Sequence, residues 1–291
     1  MEQETVVLLG DDILDDHEDS YTVPSLKKSM DVRSLLLKKF QGGSIQTCSV
    51  SSSIIAHVSE TGIWPPSKLT DRRKDAKMPL YPVDPKDGRV YPLRFLEKYK
   101  PRYAILSIGW NDVKLCFSRN RKPKEVRRML RDNGFRKDLE RCVREVTKRA
   151  ERTILVFPNL PRAVRMNTMY VLPTMKDMQT IASDVMNDYT YVSKKFKIPI
   201  VDLSRTINPY QGSLYRSDDP TRLSTKAREH VANILGYAIK THKFETDESV
   251  IYSGCGPFRS DRNSDGTLSS SMLEHYLFEC KSTSSSKCVL S

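Results

Sequence analysis

Two largely apolar runs constrain the fold of this chain more than anything else in it. Val6-Val7-Leu8-Leu9 ends in Gly10, and Tyr103-Ala104-Ile105-Leu106-Ser107-Ile108 ends in Gly109. Neither run alternates between apolar and polar residues. A strand with that pattern is covered on both faces, which is the situation inside a parallel sheet flanked by helices. A glycine at the end lets the backbone turn sharply into whatever follows. Carboxylates and amides come next, Asp11-Asp12 after the first run and Asn111-Asp112 after the second. In open α/β sheets, ligands and chemistry lie just beyond the carboxyl ends of the strands. Asp11 and Asp12 also have a plainer reading as caps of the next turn, a common use of Asp.

Three further strands fit the same scheme: Ser44 to Val50, Thr153 to Phe157 and Pro199 to Leu203. Helical spacing recurs between them. Ser25 to Phe40 carries Val32, Leu35, Leu36 and Phe40 on one side. Lys122 to Ala150 is a charged helical region with a break at Asn133-Gly134, and Lys176 to Lys195 is a further helix. Ser224 caps a last helix with Ala227, Val231, Ile234 and Leu235 facing the core. Alternating strands and helices predict a three-layer αβα domain with a parallel five-stranded sheet over residues 1–243. Residues 59–100, rich in proline, read as an irregular insertion. Residues 244–291, rich in Ser, Asp and Gly, read as a flexible tail.

The 48 basic and 36 acidic residues give a net charge of +12. That balance favours anionic partners such as nucleic acid, phosphoinositides or an acidic leaflet. The six cysteines have no CxxC pair and no disulfide-framework spacing. The acidic start carries no signal-peptide pattern, and no apolar run reaches the roughly 20 residues needed to span a bilayer. A cytosolic chain with reduced thiols is the expectation.

Four blocks fall in order along this pattern: Gly10-Asp11-Asp12, Ser51-Ser52, Gly109-Trp110-Asn111-Asp112, and Asp219-Pro220-Thr221-Arg222 before the last helix. Their order and spacing resemble the SGNH (GDSL-type) hydrolases over residues 5–240, and the domain is accordingly expected to be flavodoxin-like. The resemblance implies Gly-Asp-Ser in the first block, an oxyanion glycine in the second, Gly-x-Asn-Asp in the third and Asp-x-x-His in the fourth. In this chain Asp12 stands at the serine position, Ser52 at the oxyanion glycine and Arg222 at the histidine. Asn111, the oxyanion donor, and Asp219, the histidine's partner, are kept. Gly10, Asp11, Gly109 and Asp112 complete the expected site. A guanidinium cannot act as a general base, and a carboxylate nucleophile would give a reactive anhydride. In one well-studied serine protease, removing the triad serine or histidine cost about 10⁶ in turnover. The ordinary esterase route is therefore expected to be lost. Asp12 and Arg222 are expected to form an ion pair that keeps the pocket's shape.

Rival chemistries are weaker. Asp11, Asp12, Asp15, Asp16 and His17 crowd one turn and would suit Mg²⁺, Ca²⁺ or Mn²⁺ in an ester or phosphoester hydrolase. Asp11-Asp12 and Asp15-Asp16 are merely consecutive and a solvated acidic turn explains them, so no metal and no cofactor is assigned. Asp261 to Ser269 matches the start of an EF-hand loop, but Met272 stands where a bidentate Glu is required. His57, His230, His242 and His275 have no metal-ligand spacing.

Residues 119–152 hold 14 Lys/Arg against 6 Asp/Glu. Lys124, Arg127, Arg128 and Arg131 fall at neighbouring helical positions and form one positive stripe. A nucleic-acid groove adds stacking aromatics, and only Phe117 and Phe135 are near, so an anionic membrane or a solvated face is preferred. The final Cys288-Val289-Leu290-Ser291 matches a C-a-a-X box, whose terminal Ser favours farnesylation of Cys288. It is similar to the ends of prenylated small GTPases. One prenyl chain anchors weakly. Palmitoylation of Cys280 or the basic region would supply the second signal. The resulting expectation is a cytosolic protein, peripheral on a membrane, that binds or scaffolds rather than catalyses.

Overall fold

A computed structural model of the chain describes residues 5–10, 14, 32–40, 43–49, 54–62, 84, 86–117, 122–158, 164–166, 169–171, 175–207, 212–216, 223–242, 250–253 and 256–259. The strands are β1 (Thr5–Gly10), β2 (Ser44–Ser49), β3 (Tyr103–Ser107), β4 (Arg152–Phe157), β5 (Val164–Met166), β6 (Met169–Val171), β7 (Ile200–Asp202), β8 (Val250–Ser253) and β9 (Gly256–Arg259). The helices are α1 (Val32–Leu37), α2 (Pro92–Tyr99), α3 (Trp110–Phe117), α4 (Pro123–Asp132), α5 (Phe135–Thr147), α6 (Met175–Phe196) and α7 (Thr225–Thr241). A π-helical turn spans His57–Thr61.

The main sheet runs β2-β1-β3-β4-β7-β8-β9. Every pairing from β2 through β8 is parallel, and β9 closes the edge antiparallel to β8. The expected α/β fold with a parallel sheet is therefore present, and its first five strands follow the expected flavodoxin-like order. The count of five strands is too low. β8 and β9 lie in the stretch read as a tail, where Ile251 and Tyr252 are buried against the sheet. The short hairpin β5–β6 is also additional.

Burial of both sheet faces explains the unbroken apolar runs. Successive strand side chains point to opposite faces. Val7, Leu9, Ala104, Leu106, Leu155 and Phe157 form one core with residues of α2 to α6. Val6, Leu8, Tyr103, Ile105, Ile154 and Val156 form the other with α1 and α7. The expected break in the long basic helix is real. Gly134 adopts φ +75°, a left-handed conformation, and separates α4 from α5. Val126 and Leu130 anchor α4, while Phe135, Leu139, Cys142, Val143 and Val146 anchor α5. Part of the expected insertion is ordered too. Pro92 sits in the first turn of α2, where a missing N–H costs nothing. Among the described residues, no helix is long and apolar enough to cross a membrane.

Candidate functional site

The described part of the site is the edge where β1, β2 and β3 end side by side. Gly10 is in register with Ser49 on one neighbour and Ser107 on the other. Strand alternation places this Ser49-Gly10-Ser107 row on the face that α1 and α7 cover. Gly10 adopts φ +122°, and a Cβ there would lie 1.6 Å from the Ser107 carbonyl oxygen. That neighbour is backbone and cannot yield, so only glycine ends β1 in this way. Both serines are fully buried. The Ser49 hydroxyl has no hydrogen-bond partner among the described residues.

Gly109 repeats the device one strand over. Its φ is +100°, and a Cβ would sit 2.8 Å from the Tyr189 hydroxyl and 3.2 Å from the Phe135 ring. Tyr189, from α6, donates its hydroxyl hydrogen to the Ile108 carbonyl. Its ring packs edge-on against Phe157 at the end of β4, with centroids 5.1 Å apart. The turn from β3 into α3 is thus held from beneath by aromatic side chains of α5 and α6.

The first turn of α3 carries the polar groups. Asn111 is buried. Asp112 reaches across to the segment after β2, where its Oδ2 accepts the Ile55 N–H at 3.1 Å. Burial pushes the Asp112 carboxyl up to about 7, opposed in part by the Ile55 and its own backbone N–H groups, with Asp138 adding to the rise. The neighbouring Cys142 thiol is pushed up to about 12, first by burial and then by Asp112, so it is no nucleophile at neutral pH. In the same segment His57 Nδ1 accepts the Ile54 N–H at 3.2 Å, which leaves the proton on Nε2. Burial lowers the pKa of His57. At the end of β7, buried Asp202 accepts from Ser204 N–H at 3.0 Å and pairs with Arg205 at 3.1 Å. Its carboxyl serves the turn that follows.

The site's last corner is the start of α7. Ser224 caps this helix, accepting the Ala227 N–H at 3.4 Å and donating to the Ser213 carbonyl at 2.8 Å. Leu223, just before it, bridges to Tyr215 and is buried in the α1–α7 core. In a βα crossover the helix starts at the carboxyl edge of the sheet, so this corner belongs to the same edge.

Of the expected site residues, the structure gathers Gly10, Gly109, Asn111 and Asp112 at one edge. Asp11, Asp12, Ser52, Asp219 and Arg222 lie outside the described residues, as do the acidic turn around Asp15, the EF-hand-like stretch, Cys280 and Cys288. Among the described residues no cluster of His, Cys, Asp and Glu is placed to hold a metal. His230 is exposed on α7. Buried His242 bonds the Tyr252 hydroxyl at 3.0 Å, and burial, with Arg152 nearby, pushes it down to about 4. Arg152 opens β4, so this histidine lies toward the opposite edge of the sheet. Ser49, Tyr189 and the Ile55 amide are the groups the sequence did not reveal. Ser49 is one of many serines, and the other two act through contacts made across long chain separations.

The fold of this chain is similar to that of solved lipases and esterases, SGNH-type hydrolases among them. The structure resembles the extracellular lipase of Streptomyces rimosus at 10% identity, covering 81% of this chain and 99% of that one, with a TM-score of 0.52. An aryl esterase of M. smegmatis is similar at 14% identity over 82% and 99%, with a TM-score of 0.49. So is a putative SGNH hydrolase of Slackia heliotrinireducens, at 6% identity over 82% and 100%, with a TM-score of 0.49. No protein-family profile and no curated protein sequence matches the chain.

Proposed function

We propose that this chain is an SGNH-type domain without the hydrolytic triad, working as a binding or scaffold protein at a membrane surface. One observation carries the reading. The edge that positions catalysis in this fold retains its glycine turns and Asn111, whereas the sequence puts Asp12 and Arg222 where attack and proton transfer need serine and histidine. Guanidinium stays protonated throughout the neutral range and cannot take a proton from a nucleophile. A carboxylate and a guanidinium at these two positions have the chemistry of an ion pair and not of attack and proton transfer. Farnesylation of Cys288 brings the protein to the cytosolic face of a membrane, and a second signal completes the anchorage.

The test is a panel of short-chain and long-chain esters and phosphoesters offered to the wild-type protein, with and without Mg²⁺, Mn²⁺ and Ca²⁺. No turnover above the uncatalysed rate is expected. Turnover that Asp12→Asn abolishes would overturn the reading and make Asp12 the nucleophile or a metal ligand. For the anchor, farnesyltransferase with labelled farnesyl diphosphate is expected to modify the wild-type chain and to leave Cys288→Ser unmodified. Label on neither chain would remove the lipid from the account.

A further inference from the structure

The basic region is not one surface. Six of its twelve described cations are already paired with neighbouring acids. Arg127 of α4 pairs with Asp184 of α6 at 3.0 Å. On α5, Arg136 pairs with Asp188 at 2.5 Å, Arg141 with Asp138 at 2.7 Å and Arg144 with Glu140 at 2.6 Å. Beyond its end, Lys148 pairs with Glu145 at 2.7 Å, and Arg149 is shared between Glu97 and Glu145, each at 2.8 Å. Lys195 of α6 joins Glu140 at 2.7 Å. By contrast, Lys124, Arg128 and Arg131 are exposed and have no acidic partner among the described residues. At 100° per residue these three project within about 60° of one another, along about 10 Å of helix axis. Lys122, at the N-cap of α4, is also exposed.

The neighbouring helix α3 carries an apolar side chain that is largely exposed. Leu115 of α3 is 56% exposed, more than any other large hydrophobic side chain among the described residues. It stands one helical turn from Asn111 on the same side of α3, and α3 packs against α4. An exposed leucine on the helix that packs against α4, one turn from Asn111, and a row of cations on α4 without acidic partners supply the two features that hold a peripheral surface on an anionic bilayer. Single-stranded nucleic acid fits less well, because α4 offers no aromatic platform. The exposed ring that does stack with cations, Tyr191, lies between Arg136 and Lys195, both already paired.

We propose that the Lys124-Arg128-Arg131 face of α4, with Leu115, docks the protein on an anionic lipid surface and turns the candidate site toward the bilayer. This rests on the membrane part of the proposed function and supplies its second signal, but it requires no prenyl group. The experiment therefore uses the full-length chain carrying Cys288→Ser, so that failure of prenylation and failure of this face are read separately. Sedimentation with vesicles of phosphatidylcholine alone and of phosphatidylcholine with phosphatidylserine measures binding. Binding is expected only with phosphatidylserine, and it should be lost as salt rises from about 0.1 to about 1 M. A Lys124→Glu, Arg128→Glu, Arg131→Glu triple variant should bind about a hundredfold more weakly, and Leu115→Ser severalfold more weakly. A control triple variant with the same charge change on other exposed lysines, Lys194→Glu, Lys226→Glu, Lys240→Glu, should stay within about fivefold of the parent. Equal loss in both triple variants would mean that bulk charge and not this face does the binding, which overturns the proposal. So would no loss in the α4 variant. Tighter binding to a single-stranded oligonucleotide than to the acidic vesicles, lost in the α4 variant, would reassign the face to nucleic acid.

Discussion

The ends of β1 and β3 are built alike and equipped differently. β1 ends on Gly10 and β3 is followed two residues later by Gly109; both glycines are in the left-handed region, and each stands where a side chain has no room. After β3 the chain keeps an asparagine and an aspartate, and Asp112 ties the turn to the segment after β2 through the Ile55 amide. After β1 the sequence has two carboxylates, Asp11 and Asp12, and on the proposed reading Asp12 stands where the nucleophile would be. On the proposed reading, the difference means that frame and chemistry are maintained separately. Steric contacts and buried hydrogen bonds hold the frame, and none of them requires a working nucleophile.

Substitutions at the two ends measure how far that separation goes. The largest effect belongs to Gly10→Ala, where the new methyl meets backbone at 1.6 Å. A loss above about 4 kcal/mol, enough to leave little folded protein, is expected in chemical denaturation. Near wild-type stability would break the claim that the two strand ends are locked together. Asp112 comes next. Its carboxyl rises from an unfolded value of 3.8 to about 7 on folding. The stability it contributes is complete below the unfolded value and is lost as pH rises through about 7, up to about 4 kcal/mol in all. Denaturation midpoints should therefore fall between pH 5 and pH 8 in the wild type. They should fall much less in Asp112→Asn, which can still accept the Ile55 N–H. Equal slopes would mean that Asp112 is not shielded from water.

Gly109→Ala should cost about 2–3 kcal/mol, less than Gly10→Ala, because its closest neighbours are the ends of side chains. Tyr189→Phe removes the hydroxyl at 2.8 Å and should recover part of that loss in the double variant, even though alone it sacrifices the bond to the Ile108 carbonyl. A double variant that is simply additive would show that the hydroxyl is not what crowds position 109. The smallest effect is at the third corner, where Ser224→Ala should cost about 1 kcal/mol through loss of the α7 cap.

Much of this frame was legible in the sequence, for a physical reason. Unbroken apolar runs ending in glycine have few structural readings, so β1, β3 and their turns could be placed, as could the break at Asn133-Gly134. α2 escaped notice because Pro92 was read as a breaker, whereas a first-turn proline starts a helix. β8 escaped because four residues with Ile251 and Tyr252 among Ser and Gly carry too little pattern to stand out from a tail. The charge stripe was half legible. Helical spacing groups Arg127 with Arg128, but only packing against α6 reveals that Arg127 is neutralised by Asp184 while Arg128 is left to solvent. The roles of Tyr189 and Asp112 depend on partners 81 and 57 residues away, beyond the reach of local spacing.

The central claim, an intact frame without its triad, is tested most directly by restoring the two residues. Purified wild type and the Asp12→Ser, Arg222→His double variant, shown to melt alike, would be assayed side by side for hydrolysis of a short-chain nitrophenyl ester. The account predicts a silent wild type and hydrolysis well above the uncatalysed rate in the double variant. A wild type that hydrolyses the ester, with activity that the double substitution abolishes, would contradict it.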